Sequence, residues 1–591
     1  MTSEARRKQG RGRLAGPAMV AIVASILLTI TIGLLGPSAM VPALTGPAWQ
    51  PPYSLAAHPG PYLIIALAAA TLLLGGLGLL AALLATSRPG SPPPTTRDNP
   101  DSTRDGSGPT RDGSGSTPYG SDTTPTVAPD GPGAIPTATP DAPDHGSGGA
   151  AFRRPSPAPL NRLGGVLLNA RALVLVGCVA AAVLAFLPPS GSGDHLNYAA
   201  YGRMVTLGVD PYTHGAIDLP GDPIADAVEE PWREEPSVYG PVATAVQAVA
   251  SWIGGDSLRL TMFVLALFNA AAFIVTGLLV DRFTRHDPRR RLRAALLWTA
   301  NPLLLYHLVA GMHVDTLAIA CMVASLLARG RPMGSGVLLG LGVAIKVNAG
   351  LVALGPAWEL RRRPGRLALM AGCAVAVVVV GYAVVGFDAL APITRTSKSI
   401  SHASFWKLVQ GWLQAVVGTG SAYRGAIQVG SLLVLVLIAW SLLRLAVRAG
   451  WSSGGGALSS QPGALSGHAS SVASGGLDAP VVAMALVVAY LFATPYILPW
   501  YDGLALGMLA LVGASALDGL VVAHLLVLSL AYLPARVEGQ PDDLEWLRTV
   551  VRPQLGWALL ALTVALVVWA WRAAGRERRR QASAAPRRSG P

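Results

Sequence analysis

Apolar residues run through this chain in blocks of the length that crosses a bilayer. Ala18 to Leu35, Tyr62 to Leu84, Gly164 to Leu187, Leu258 to Val280 and Leu367 to Val385 are such blocks, each near or above the roughly 18 to 20 apolar residues a spanning helix requires. The pattern predicts an all-α polytopic membrane protein of about 12–14 spans with a large outer loop after the third. The first block follows basic residues without a convincing small-residue cleavage site and reads as a retained span.

Pro332 to Trp358 fits this scheme least easily. It is one apolar block between two arginine groups, and a single pass would place those groups on opposite faces. A hairpin of two short helices, or a re-entrant segment, turning near Lys346, Val347 and Asn348 resolves the conflict. Such broken geometry survives only inside protein or beside water; which of the two forms spans 333–358 stays open. The glycines at 334, 336, 340 and 342 lie in this block and read as close helix packing rather than a nucleotide loop.

Arginine placement sets the expected orientation. Arg6, Arg7, Lys8, Arg11 and Arg13 put the N-terminus in the cytoplasm, and the third span then delivers residues 188–240 outside. That loop holds nine acids and two arginines, whereas 282–293 holds six arginines. Both termini fall in the cytoplasm, as expected of a multi-pass plasma-membrane protein. The expected organisation is two N-terminal spans over 1–86 and a disordered cytoplasmic insert over 87–163. A membrane-embedded core follows over 164–573, with outer loop 188–240 and flexible linker 450–476, and then a basic cytoplasmic tail over 574–591. The insert repeats Thr-Arg-Asp at 96, 103 and 110 amid Pro, Gly and Ser, a composition that cannot bury a core.

Composition narrows the classes. With 51% hydrophobic and 13% charged residues the chain has the balance of a membrane protein. Its net charge of +13 sits in short groups beside apolar runs, so nucleic acid is not an expected partner. The three cysteines, Cys178, Cys321 and Cys373, lie in apolar stretches and form no metal pattern or disulfide framework. There is no Walker motif after a strand and no Rossmann fingerprint, so a membrane-borne donor fits better than a nucleotide sugar.

Three clusters could carry chemistry on the outer face. Asp194 stands at the mouth of the third span, where a carboxylate can act as general base; on position alone it reads also as a solvated aspartate or a helix cap. Tyr198, Tyr201, Arg203, Asp210, Tyr212, Trp232, Arg233 and Tyr239 follow it, supplying rings and donors suited to a sugar and a phosphate. The second cluster is Asn301-Pro302, Tyr306-His307 and His313-Val314-Asp315. His313 and Asp315 form only a weak metal pattern, and a divalent cation is left open. Lys346 either snorkels or meets an anion such as a phosphate. The third cluster includes Pro499, Trp500 and Tyr501, an aromatic belt or the wall of a lipid groove.

These motifs resemble the actinobacterial polyprenol-phosphomannose-dependent alpha-1,6-mannosyltransferases. The resemblance rests on Tyr201-Gly202, Gly208-Val209-Asp210-Pro211-Tyr212, Pro231-Trp232-Arg233, Tyr239-Gly240-Pro241, Asn301-Pro302, His307-Leu308, His313-Val314-Asp315 and Ala344-Ile345-Lys346. It implies the glycosyltransferase C-type fold, a catalytic aspartate at Asp194, a mannosyl donor on a polyprenyl phosphate, and a lipid-linked mannan acceptor extended in α-1,6 linkage on the extracytoplasmic side. Where His-Asn-Asp is expected, this chain reads His313-Val314-Asp315. A flippase or exporter of polyprenyl-linked glycans is the alternative from a different class.

Overall fold

The computed structural model describes residues 3–86, 169–396, 398–453, 477–536 and 538–584, with the side chains of 3–14 and 584 left out. The insert expected over 87–163 and most of the linker expected over 450–476 lie outside the described residues. The described part is all-α, its one β feature being an isolated bridge between Ser38 and Val41. All of it falls within one unit, Met1–Ser87 with Ala158–Pro591.

Helices α1 (Ser3–Leu35) and α2 (Pro61–Thr86) pack on each other; α3 (Ala170–Ala185) leads to α4 (Asp194–Thr206), α5 (Pro241–Gly254), α6 (Leu258–Thr284) and α7 (Pro288–Leu297). Next come α8 (Asp315–Leu327), α9 (Pro332–Ile345), α10 (Leu354–Leu360), α11 (Pro364–Val385), α12 (Leu390–Thr396) and α13 (Phe405–Val417). The last are α14 (Arg424–Ala449), α15 (Ala479–Ala493), α16 (Asp502–Leu509), α17 (Leu517–Tyr532) and α18 (Arg552–Ala584). Starts are encoded locally: the side chains of Asn169, Ser257, Asp287 and Asp478 accept from the first backbone N–H groups of α3, α6, α7 and α15. Prolines open α5, α7, α9 and α11, where the missing N–H loses no intrahelical bond.

Among the described residues, six helical segments are long and apolar enough to cross a membrane, and five further apolar helices have 10–17 residues. The expected basic tail begins as a continuation of α18, which runs unbroken to Ala584.

The block between the two arginine groups folds back. Helix α9 ends at Ile345, Lys346 is extended at φ −151° and ψ 122°, and a 3-10 turn, Val347–Ala353, leads into α10. Arg329 at the entry lies 3.6 Å from Glu359 at the exit, and the Arg366 guanidinium donates to the Gly330 carbonyl at 2.8 Å. Both ends therefore return to one face. The outgoing leg rises about 21 Å and the return about 25 Å, so the apex at Lys346 reaches well across the bundle.

The arginine groups that the sequence assigns to one side do converge. Arg290 donates to the carbonyls of Ser453 and Leu511, Arg329 reaches Ser453, and Arg448 reaches Ala574. Arg293 forms a buried fork with Asp518 at 2.5 and 2.6 Å. Opposite this arginine end, the segments 36–60 and 186–193 interlock through Tyr53 N–H to the Phe186 carbonyl and Gly191 N–H to the Met40 carbonyl.

The outer loop is bound to the fold-back by its last glycine. Gly240 N–H donates to the Ile345 carbonyl at 3.0 Å, and a Cβ on Gly240 would overlap the Ala344 carbonyl. We expect Gly240→Ala to destabilise by about 1–3 kcal/mol through overpacking, read as a lowered melting temperature in detergent. Gly334→Ala, with nothing within 4 Å of its Cβ, should leave the melting temperature unchanged.

Candidate active site

The segment expected as a loop after the third span contains a buried helix. α4 begins at Asp194, whose N–H donates to Ser192 Oγ at 3.2 Å, so the carboxylate sits at a helix N-terminus, where negative charge is favoured. Along α4, His195 to Gly202 are all buried. Gly202 allows this, because a Cβ there would meet the backbone carbonyl of Gln247 on α5.

Asp194 opens onto a cavity of about 430 Å3 that also takes in Lys346, Trp232, Tyr239, Pro499, Trp500 and Tyr501. Residues of the first and third sequence clusters and Lys346, distant along the chain, thus share one space, and the second cluster packs behind it through His313 and Asp315. The Asp194 side chain keeps 23% exposure to it. Burial pushes the carboxyl up to about 7, with Lys346 pulling down and Asp315 pushing up. Water reaching the exposed fraction moderates the push without reversing it.

Behind Asp194 stands His313, its Nδ1 3.6 Å from the carboxylate. The imidazole is fully buried and stacks on Trp500, centroids 3.5 Å apart at 14°. Its delivery is unusual in backbone terms. A π-helical turn, Leu305–Ala310, precedes it, Met312 takes a left-handed φ of 55°, and Asn269 Nδ2 donates to the His313 carbonyl at 2.8 Å. A π turn and a strained non-glycine side by side are features that gather at functional sites.

Lys346 is not a free cation. Its ammonium donates to both oxygens of Asp315 at 2.7 Å and lies 4.2 Å from the Tyr501 ring centroid. Asp315 is fully enclosed and Lys346 keeps 13% exposure. The pair holds the fold-back apex against the start of α8.

The other expected residues divide. Arg203 does not line the cavity: it is paired at 2.7 Å to Asp222 and to Asp256. Asp210 accepts from Tyr212 N–H at 2.9 Å and from Thr213, so it shapes a turn. Tyr212 is buried with its hydroxyl 2.8 Å from Thr244 Oγ1. Asn301 caps a short helix, and His307 Nε2 meets Ser529 Oγ at 2.7 Å. The described residues gather no group of three or more His, Cys, Asp or Glu that could hold a metal.

Part of the cavity wall escaped the sequence reading. Arg395, His402, Tyr496, Tyr532 and Arg552 line it. Arg552 Nε donates to the Ala531 carbonyl at 2.7 Å and Nη2 to Tyr532 at 3.5 Å, and neither partner is an acid. Burial, Lys407, Arg552 and Arg548 together hold the His402 imidazole below its ordinary range, so several cations crowd this side. A signal was present: the expected topology puts Arg395, Lys398, Lys407, Arg548 and Arg552 on the face where cations are otherwise sparse.

Comparison with known proteins places the site in context. Residues 160–362 match the family model described as alpha-(1->6)-mannopyranosyltransferase, N-terminal domain. Among curated relatives, alpha-(1->6)-mannopyranosyltransferase A of Corynebacterium glutamicum is 30% identical over 170 residues, 28% of this chain and 34% of that protein. The B enzyme of the same organism is 26% identical over 45% of this chain and 40% of its own length. Alpha-(1->6)-mannopyranosyltransferase A of Mycobacterium tuberculosis is 26% identical over 39% of this chain and 43% of its own. The matches thus span 34% to 43% of these relatives' length. No solved structure matches the chain.

The Lys346–Asp315 pair can be tested apart from activity. Asp315→Asn alone leaves a buried ammonium without its partner and should cost about 3–5 kcal/mol, whereas Asp315→Leu with Lys346→Met should cost much less. Thermal unfolding of the single and double variants measures the coupling; additive losses would remove the pair from this role.

Proposed function

From the match of residues 160–362 to the family model described as alpha-(1->6)-mannopyranosyltransferase, N-terminal domain, we propose that the protein is an inverting mannosyltransferase. It uses a β-linked polyprenyl phosphomannose as donor and extends a lipid-linked mannan through an α-1,6 bond on the extracytoplasmic face. The observation that carries this reading is a single cavity lined by the Asp194 carboxylate and by two guanidinium groups, Arg395 and Arg552, that form no ion pair with it or with any other acid among the described residues.

The chemistry follows from that arrangement. Asp194 takes the proton of the acceptor's hydroxyl, the oxygen attacks the anomeric carbon opposite the phosphate, and the carbon–oxygen bond to the phosphate breaks. Polyprenyl phosphate leaves with the electron pair. Inversion requires base and leaving group on opposite faces of the sugar. His313, stacked on Trp500 and facing Asp194, holds the carboxylate's orientation. Tyr239 and Trp232 offer rings to the sugar. The cavity also reaches Leu498 and Leu528, apolar surface suited to the first isoprene units.

The charge on the leaving phosphate belongs with Arg552 and Arg395, beside which His402, its imidazole held below the ordinary range, offers a neutral ring N–H. Lys346 gives most of its charge to Asp315, and Arg203 stands outside the cavity, so neither is assigned to the phosphate. Fixed cations aimed at developing negative charge are the largest lever open to such a site. No step is routed through a divalent cation.

In an assay of the purified chain with labelled polyprenyl phosphomannose and a mannan acceptor, the reading requires formation of a glycosidic bond, which a flippase would not form. Asp194→Asn should keep folding and membrane insertion and lower turnover by at least about 100-fold; activity near the parent's would remove Asp194 from the role. The parent's kcat/KM should fall as pH drops through about 7, because a base raised to that value loses its ionised form below it; a profile flat between pH 5.5 and 8 contradicts the assignment. Arg552→Gln with Arg395→Gln should lower kcat/KM for the donor by roughly 10- to 1,000-fold and leave the acceptor KM within about twofold. Equal effects on both substrates would place the phosphate elsewhere.

A further inference from the structure

A second cavity, of about 460 Å3, lies at the arginine end, far from Asp194, between the start of α3 and the turn joining α6 to α7. Arg171, Arg285, Arg289 and Arg291 line it, with Pro288 and Leu292. The local acids are committed. Asp281 holds Arg291 through two bonds of 2.5 and 2.7 Å, and Asp287 caps α7 through the N–H groups of Arg289 and Arg290. Arg285 Nε donates to the neighbouring His286 at 3.1 Å. Arg171, Arg285 and Arg289 therefore bring three guanidinium groups to one recess with no carboxylate partner among the described residues. Like charges so placed repel, and an anion between them removes the repulsion.

The surface leading away from the recess is apolar on both helices. On α3, Leu175 and Val179 follow Arg171 at i+4 and i+8, on the same face, and they are 65% and 53% exposed. On α6, Leu278 and Val275 precede Arg285 by seven and ten residues along one stripe, each 50% exposed. Helices α3 and α6 pack on each other. Three cations thus stand at the end of two packed helices that each carry open aliphatic side chains along their length, the layout of a phospholipid turned inside out.

We propose that the α3–α6 surface binds an anionic phospholipid, the headgroup phosphate resting on Arg171, Arg285 and Arg289 and the acyl chains lying along Leu175, Val179, Val275 and Leu278. The recess faces the leaflet opposite the Asp194 cavity, so this lipid is distinct from donor and acceptor. It braces the helix that carries the Asp194 carboxylate's approach, since α3 leads directly into the segment before α4.

The full-length chain, delipidated in mild detergent, is titrated with phosphatidylglycerol, with phosphatidylcholine and with inorganic phosphate, and bound species are counted by native mass spectrometry alongside the melting temperature. Phosphatidylglycerol should bind and raise the melting temperature, phosphatidylcholine should do neither, and millimolar phosphate alone should not reproduce the shift. Arg171→Gln, Arg285→Gln and Arg289→Gln together should weaken phosphatidylglycerol binding by about 100-fold, with mannosyl transfer per folded molecule retained. The corresponding triple Lys variant should keep most of it, and Leu175→Ser with Val179→Ser should weaken it with the charges intact. These last two variants decide the matter if the Gln variant fails to fold. Equal retention of both lipids, a shift reproduced by phosphate alone, or undiminished binding by the variants would each overturn the proposal.

Discussion

A lysine carried into the interior of a membrane bundle must meet an anion, and in this chain it meets Asp315 through both oxygens. Much of the site's architecture follows from that bond. It holds the apex of the fold-back against the first turn of α8, and two residues before Asp315 stands His313, facing Asp194. One residue before Lys346, the Ile345 carbonyl receives the end of the outer loop through Gly240. Without a partner the ammonium would be driven to the bilayer surface or to neutrality, and three elements would lose their common anchor. The Tyr501 ring completes the enclosure at 4.2 Å, so even the aromatic wall of the cavity is referred to this charge.

The bundle segregates charge by end as well as by sign. At the arginine end, guanidinium groups donate into carbonyls and acids that close helix termini, as with Arg290 at Ser453 and Leu511 and Arg293 at Asp518. At the opposite end, the acids of the outer loop are largely engaged with their own neighbours, and Arg536 reaches across to Glu229. Asp194, Arg395 and Arg552 line one cavity there without pairing to one another among the described residues.

The fold was legible because bilayer physics writes itself plainly into sequence. Apolar block length and arginine placement gave the all-α membrane class, and the conflict at Pro332 to Trp358 gave the fold-back and its turn at Lys346. The cavity was partly legible: Asp194, Trp232, Tyr239, Lys346 and Trp500 do converge. Roles were harder to read than places. Lys346 looked like a phosphate ligand because its partner Asp315 lies 31 residues away, and no local pattern marks a pair of that span. Arg203, Asp210 and Tyr212 sit in the conspicuous motifs, yet they work on the loop's own turns and pairs, which is what polar residues of a folded loop do most often. Arg395 and Arg552 were passed over because they are isolated in sequence; only their breach of the topology pattern marks them. The buried Asp502–His524 pair, 2.8 Å apart, was hidden in the same way behind an aromatic run.

The junction between Gly240 and the fold-back bears on how lipid-borne molecules get in and out. Since the Asp194 wall is stapled to the apex of a paired helical hairpin, it cannot swing aside without dismantling buried backbone and ionic bonds. Under the proposed function, entry and release would then depend on the rest of the cavity wall, where Arg395 is exposed. On that same proposal, the stationary wall would keep Asp194 in register through every cycle, while a yielding part of the wall passes a spent carrier back to the bilayer.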